Sequence, residues 1–173
     1  MGRTYPHVHN LVESLRAHAR FIQSRAGGKR LQMRMASLSG IKLPGIDLRE
    51  AILAGADFKD SILTEASFER ADLYAADFSN ADLRRSNFCR ADIRGALFRG
   101  AAMAGSNLSG ADLRPGAYAN SSLNLVGAQK SLRQRARASR LRLKAGATVF
   151  EAADLEGVNF RDTDLYRCDL AHA

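Results

Sequence analysis

The sequence predicts an all-β solenoid, in which the chain winds in stacked coils and turns a corner once every five residues. Three observations predict it. A large apolar residue recurs at every fifth position for about ninety residues, a small residue stands two places before it, and the positions between are mostly polar or charged. Because such regularity reflects one structural unit used many times, the unit has to be identified before any helix or strand is assigned.

The repeat divides into eighteen units of five between residues 36 and 125. The third residue of each unit is large and apolar, and the first is Ala, Ser or Gly in sixteen of the eighteen. The pattern resumes over residues 148–172 with TVFEA, ADLEG, VNFRD, TDLYR and CDLAH. Since residues two apart share one side of an extended chain, the first and third positions are predicted to point inward.

A period of five fits neither of the common regular elements. On a helix, a step of five residues turns the chain by about 500°, so the large residues would spiral around every side. On a straight strand, an odd period would send successive large residues to opposite faces. The chain must therefore bend once in every unit.

The units ADFKD, ADLYA, ADFSN, ADLRR and ADLRP resemble the repeats of the pentapeptide-repeat proteins. The resemblance implies a right-handed quadrilateral parallel β-helix, in which four units make one coil and residues twenty positions apart stack in successive coils. It predicts aromatic-rich ladders on two opposite faces and aliphatic ladders between them, with Tyr118 following Phe98 and Leu123 following Met103. The expected core includes Phe58, Phe68, Phe78, Phe88, Phe98, Tyr118, Leu73, Leu83 and Leu113.

The chain is predicted to have four parts. Residues 1–35 form a capping helix and a basic lead-in, because apolar residues recur at helical spacing over residues 7–26 and Gly27-Gly28 follows. Residues 36–126 form the main solenoid, residues 127–147 a basic insertion and residues 148–173 the final repeats. Within the insertion the periodicity fits a short helix or a degenerate coil, and helix-favouring composition favours the helix.

Charge is concentrated in two of these parts. Residues 1–35 carry seven basic groups and one acidic group, and residues 127–145 carry seven basic groups and no acidic group. The solenoid between them, residues 36–126, has ten basic and eleven acidic groups and is close to neutral. The segment 127–145 is either a solvated face or a binding arm for a protein, a nucleic acid or an anionic lipid. The candidate partner-binding residues are Lys130, Arg133, Arg135, Arg137, Arg140, Arg142 and Lys144.

No arrangement of residues indicates catalysis, a cofactor or a metal. The aspartates recur at the second position of the unit, where they can bond to the local backbone, so an acid–base or metal role is not expected. Cys89 is expected at the surface and Cys168 inside, and two cysteines make no disulfide framework. Arg70 with Arg90, and Arg94 with Arg114, are expected to stack into a modest basic patch.

These observations predict a non-enzymatic scaffold that binds a protein partner. The resemblance adds two further expectations. One is a homodimer through the C-terminal coil, with a domain that continues in a longer protein as the alternative; the other is an interaction with DNA gyrase or another topoisomerase of the quinolone-resistance type. Gyrase-directed relatives imitate DNA with a strongly acidic rod, whereas this rod is near neutral. No secretory signal or membrane-spanning run is apparent, and the expected location is the bacterial cytoplasm.

Overall fold

The computed structural model describes residues 6–115, 147–165 and 168–173, with the side chains of residues 6–10 excepted. One α-helix, α1 (Pro6–Ile22), precedes the coils. From residue 31 onward the described chain consists of straight segments joined by turns. Each segment is so short that its sheet pairing is a single parallel β-bridge at the second position of the unit. No helix in the described part of the chain is long and apolar enough to cross a membrane.

The bridges give the register of the coils. Gln32 pairs with Ile52, Ser37 with Asp57, and so on at intervals of twenty residues. Four units therefore make one coil, and each coil pairs with the next through backbone hydrogen bonds such as Phe68 N to Asn87 O at 2.7 Å. The ladder begins at Gln32, so the unit LQMRM (31–35) belongs to the first coil and the solenoid starts one unit earlier than predicted.

A β-turn at the fourth and fifth positions forms each corner. The amide of the next unit's first residue donates to the carbonyl of the third, as in Ala56 N to Leu53 O at 2.9 Å. The fifth residue has a positive φ in every described turn, whether it is Gly45 at 67° or Arg70 at 56°. This is the conformation that the third residue of such a turn requires, and it is strained for residues with a Cβ.

The interior is filled by the first and third positions, as predicted. We number the faces by their third-position residues: Leu53, Leu73, Ile93 and Leu113 on face 1; Phe58, Phe78, Phe98 and Phe150 on face 2; Leu63, Leu83 and Met103 on face 3; Phe68, Phe88 and Leu108 on face 4. All are at most 1 % exposed. Phe58 and Phe78 stack at 5.0 Å, Phe68 and Phe88 at 4.9 Å, and rings of the two ladders meet edge to face across the interior.

The aromatic ladder of face 2 continues differently from the prediction. The ring stacked on Phe98, at 5.1 Å, belongs to Phe150, and Leu97 bridges to Val149. On face 3, the Met103 amide donates to Asp154 O, so the unit that contains Leu155 follows Met103. Phe150 and the unit of Leu155 thus occupy the rungs predicted for Tyr118 and Leu123, which lie outside the described residues. Among the described residues, the unit 111–115 is followed in its coil by the unit that starts at Thr148.

Helix α1 packs on the first coil, as expected for a cap. Its Leu15 packs against the core and His18 is fully buried. The helix ends at Ile22, four residues before the predicted end at residue 26. The chain then turns back along the helix, and the Lys29 amide donates to Ala17 O at 3.0 Å.

Candidate interaction surface

The aspartates and asparagines at the second position support the turns. In each case Oδ1 accepts a hydrogen bond from the backbone amide two residues later, for example at 3.0 Å from Asp77 to the amide of Ser79. The prediction that these side chains bond to the local backbone is confirmed by eleven further residues, namely Asp47, Asp57, Asp72, Asp82, Asn87, Asp92, Asn107, Asp112, Asp154, Asn159 and Asp169. The array of carboxylates is thus an array of turn supports.

Arginines at the fourth position pair with these aspartates. Arg84 donates to Asp82 from Nε at 2.8 Å and from Nη2 at 2.6 Å. The same fork joins Arg94 to Asp92 and Arg114 to Asp112. The side-chain hydrogen bond from arginine holds the pKa of Asp82 and Asp112 below the usual range. These carboxyl groups are therefore ionised near neutral pH and poorly suited to donate a proton.

The expected basic patch is largely neutralised by pairing. Arg85 lies 3.2 Å from Glu65, and Arg99 lies 3.0 Å from Glu151. Arg70 pairs only loosely with Glu69, at 3.9 Å. Arg90 makes no ion pair with any residue in the described ranges. The surface of the described coils is consequently a mosaic of mostly paired charges, and these residues form no continuous basic field.

Face 1 carries a distinct strip of outward residues that runs along the coils. We call it the face 1 strip; it consists of Arg34, Asp72, Tyr74, Asp92, Arg94, Asp112 and Arg114. Arg34 reaches past the second coil to Asp72 at 2.9 Å. Arg94 lies over the Tyr74 ring, 5.5 Å from its centroid, and its Nε is also 3.5 Å from Asp112. These contacts link four coils at the surface, and the pairing with Asp92 raises the pKa of Arg94.

The repeat geometry decides the family. Eight copies of the family model described as pentapeptide repeats match residues 32–70, 51–88, 81–114 and 147–173, which is more than half of the chain. The chain belongs to the pentapeptide-repeat family. Proteins of this family form right-handed quadrilateral β-helices and are in general structural or interaction modules. The matched ranges of this pentapeptide-repeat protein leave out residues 115–146, in agreement with the break in the ladder after Pro115.

Several solved structures of other pentapeptide-repeat proteins are similar to this chain. Rfr23 from the cyanobacterium Cyanothece 51142 is 18% identical, with 90% of this chain and 95% of that chain covered and a TM-score of 0.51. A thylakoid-lumen protein from Arabidopsis thaliana is 29% identical over 58% of this chain and 75% of that chain, with a TM-score of 0.44. A trypsin-treated form of QnrB1, a plasmid-mediated fluoroquinolone resistance protein, is 18% identical over 81% of this chain and 78% of that chain, at a TM-score of 0.30. Among curated protein sequences, none matches significantly.

A shallow cleft lies where the end of α1 meets face 4. Its volume is about 230 Å³, and it is lined by Phe21, Ile22, Ser24, Arg49, Glu50, Glu69 and Arg70. Arg49 is held by Asp47 through three side-chain hydrogen bonds. The cleft is smaller than the roughly 300–1,000 Å³ typical of small-molecule sites.

The cysteines and acidic groups form no metal centre in the described ranges, where no group of three His, Cys, Asp or Glu side chains could hold an ion. Both thiols are free and half-buried. Burial raises the pKa of the Cys168 thiol to about 11. Cys168 packs against the core from a first position of the unit, as expected for an inward residue.

The predicted partner-binding residues lie outside the described residues: Lys130, Arg133, Arg135, Arg137, Arg140, Arg142 and Lys144. Their role stays a prediction. Two features were not predicted: the contacts of Arg34, Tyr74 and the aspartates within the face 1 strip, of which only the stacking of Arg94 and Arg114 was expected, and the burial of His18. Both had a signal in the sequence. Tyr74, Arg94 and Arg114 stand twenty residues apart at the fourth position, and His18 falls three residues after Leu15 on the apolar stripe of the helix.

Proposed function

We propose that this pentapeptide-repeat protein is a non-enzymatic scaffold that binds a protein partner through the face 1 strip. The observation that carries the proposal is the column of arginine, tyrosine and aspartate side chains that the coils hold in fixed register. Arg34 and Arg114 expose 57% and 65% of their side chains, so both guanidinium groups are accessible. Arginine and tyrosine are the residue types that most often dominate binding energy at protein interfaces.

The backbone of the solenoid supports this role. Successive rungs of the strip are spaced by about 4.8 Å, the distance between paired strands. The turns and the ion pairs fix these side chains before binding. The side chains therefore lose less conformational entropy when a partner binds. Carboxylates on a partner would compete for the outer guanidinium faces, and an aliphatic or aromatic group would pack beside Tyr74. The expected partner surface is thus acidic with an apolar centre.

Matched variants test the assignment of the surface. The double variant R94A/R114A removes the centre of the strip, and R84A removes a fork of the same geometry on face 3. Tagged wild-type protein and the two variants would be compared in affinity capture from cells of the source organism. A partner that is retained by R84A and lost with R94A/R114A supports the proposal. Equal capture by all three proteins would assign binding to another surface.

The second candidate function is nucleic-acid or anionic-membrane binding, favoured by the seven basic groups and no acidic group of residues 127–145. Fluorescence anisotropy of labelled duplex DNA, at low and near-physiological salt, would test it with an arginine-to-serine variant of residues 133–142. Binding that falls steeply with salt and is lost in the variant supports a nucleic-acid arm. Vesicles with and without anionic lipid separate the membrane alternative.

The gyrase alternative has its own assay. If the protein acts on a topoisomerase as the quinolone-resistance type does, it would protect gyrase from a fluoroquinolone in a supercoiling reaction. We expect no protection, because the charges of the described solenoid are paired and do not form an acidic rod. Protection at a stoichiometric dose would overturn that expectation.

Self-association through the C-terminal coil is a further part of the proposal. Leu165 and Leu170 of the last described coil are 37% and 41% exposed, although their positions in the unit are inward ones. A second copy stacked on this coil would cover them. Sedimentation velocity of the wild type and of L170E would show a dimer that the variant lacks; two identical monomers would exclude it. The proposed setting is the bacterial cytoplasm, which cell fractionation would test.

A further inference from the structure

His18 occupies the joint between the capping helix and the solenoid. It is fully buried, and its Nδ1 accepts a hydrogen bond from the backbone amide of Leu31 at 3.1 Å. Leu31 is the first residue of the first coil and is itself 4% exposed. Together with the hydrogen bond from Lys29 N to Ala17 O, this contact fastens the start of the solenoid to α1. A titratable side chain thus makes one of the polar contacts that hold the joint together.

The hydrogen bond defines the protonation state of the ring. Since Nδ1 accepts a hydrogen bond from the Leu31 amide, it carries no proton of its own, and the neutral ring has its proton on Nε2. Nε2 is buried, and none of the described residues accepts a hydrogen bond from it. A second proton would have to enter at Nδ1, where it would face the Leu31 N–H. Two donors cannot share one hydrogen bond, so the imidazolium form is incompatible with this contact.

The surroundings of His18 oppose the charged form on balance. Burial is the largest influence and lowers the pKa of His18 below its usual value of 6.5; Arg30 in the connecting segment acts in the same direction. Asp47, Glu50 and the backbone carbonyl of Arg49, all in the first coil, act against it. The Phe21 ring stacks on the imidazole at 5.9 Å. Asp47 is itself held by Arg49, which limits its ability to stabilise a charge on His18.

We propose that His18 is a proton-operated latch, whose protonation breaks its hydrogen bond with Leu31 and releases α1 from the first coil. The coil itself would stay folded, because the ladders beyond it do not depend on the helix. Release would expose the end of the first coil at Leu31, which is 4% exposed in the closed joint, and an uncovered coil end of this kind can associate with another chain.

The sign of the pH dependence follows from linkage. A histidine whose pKa is lower in the folded joint than in the open one binds its proton preferentially when the joint is open. The closed joint is therefore fully stable above about pH 6.5, and it weakens as the pH falls below that value. With one proton taken up, closure is disfavoured by up to about tenfold per pH unit until the pKa of the closed form is reached.

Hydrogen exchange resolved by residue is the direct test. We expect protection factors of the α1 amides, corrected for intrinsic rates, to fall by up to about tenfold per pH unit between about pH 6.5 and 5. The amides of Phe68 and Phe88 in the central coils should keep their protection over the same range. A parallel fall in all coils would indicate global unfolding and overturn the latch.

Three variants complete the design. In His18→Gln, a side-chain oxygen can accept from Leu31 but nothing titrates, so α1 should stay protected as the pH falls. His172→Gln changes an exposed histidine of the last coil and should respond as the wild type does. Gly28→Ala would place a Cβ 2.5 Å from Phe21 N, so it should open the joint at every pH and serve as the released reference. A pH response retained in His18→Gln refutes the proposal.

A second measurement covers the case in which His18→Gln leaves the joint open at neutral pH. The ring of His18 in the wild type can be followed by NMR during an acid titration. Ring protonation and loss of α1 protection at the same midpoint support the latch. If the two midpoints differ by more than about one pH unit, protonation of His18 and release of α1 are separate events. Another titrating group would then drive the opening.

Discussion

Replacing Phe78 by alanine tests the stacked core most severely. Phe78 is fully buried in the middle of the solenoid. Its ring stacks on Phe58 at 5.0 Å and on Phe98 at 5.2 Å, and it meets Phe68 and Phe88 edge to face at 5.6 and 5.7 Å. The substitution therefore removes four ring contacts and leaves a cavity between coils whose backbones are fixed by the hydrogen-bond ladder.

The expected loss is large because the site cannot collapse. Burial and cavity terms for a phenylalanine-to-alanine change in a core are about 3–5 kcal/mol. Each aromatic pair adds about 0.5–1.5 kcal/mol beyond the buried area. The Phe78 amide donates to Leu97 O at 2.7 Å and the Leu97 amide donates to Ala76 O at 2.9 Å, so the backbone around the cavity is fixed. We therefore expect a value at the upper end, about 5 kcal/mol.

Phe160 provides the matched control. It stands at the same position of its unit, is only half-buried and has a ring contact with Phe150 at 6.0 Å. Phe160→Ala should cost about 2 kcal/mol, in proportion to its smaller burial. Urea unfolding followed by circular dichroism gives both free energies of unfolding, with unchanged slopes if the coils unfold together. If Phe78→Ala lost no more stability than Phe160→Ala, the aromatic ladder would not be the central stabilising element.

Three other predictions address the junction, the turns and the thiols. The first variant deletes residues 116–147 and carries Pro115→Gly to allow the turn. Its melting temperature should lie within a few degrees of the wild type, because the Val149 amide already donates to Ala96 O in register. Loss of the circular-dichroism signal would refute this. Asp82→Ala should cost about 1 kcal/mol more than Asp82→Asn in urea unfolding, since asparagine keeps the acceptor for the Arg84 amide, and equal costs would refute the turn-supporting role. The variant Cys89→Ser leaves Cys168 as its one thiol. Its reaction with Ellman's reagent near pH 8 should be at least about tenfold slower than that of the unfolded chain, because the pKa of Cys168 is raised to about 11. A fast reaction would show an accessible thiolate.

The interior could be predicted from the sequence because its period is a property of the whole fold. Phe58, Phe68, Phe78, Phe88 and Phe98 lie where the repeat placed them, and the two ladders occupy opposite faces as expected. When the chain turns every five residues, a large apolar side chain at the same position of every unit can be buried only in the interior of the coils. The family follows from the same regularity, whereas the pairing of particular charges does not. Arg34 contacts Asp72 rather than a neighbour in its own unit, and only the stacked coils show this.

His18 shows why a joint is harder to predict than a core. Its spacing from Leu15 and Ile22 placed it on the apolar stripe of a helix. The spacing alone does not show which group its ring contacts. Its contact with Leu31 depends on how the chain returns after Gly28, which sits so close to Phe21 that a Cβ would overlap the backbone. This return of the chain occurs once, so no repeated pattern in the sequence predicts it.

The break in the ladder had a physical signal that the repeat pattern concealed. GAYAN and SSLNL fit the five-residue pattern as well as TVFEA and ADLEG do, so apolar spacing cannot decide which units follow Pro115. The turn can. Every described turn has a positive φ at the fifth position of its unit, and glycine, arginine, glutamate and alanine all adopt it there. Proline cannot, because its ring fixes φ near −65°. Pro115 stands at a fifth position, so the regular turn must fail at that residue, twelve positions before the boundary predicted at residue 127 from charge and register. The described corners of this solenoid all have a positive φ at the fifth position of the unit. A residue that cannot adopt a positive φ at that position therefore locates an interruption better than the apolar pattern does.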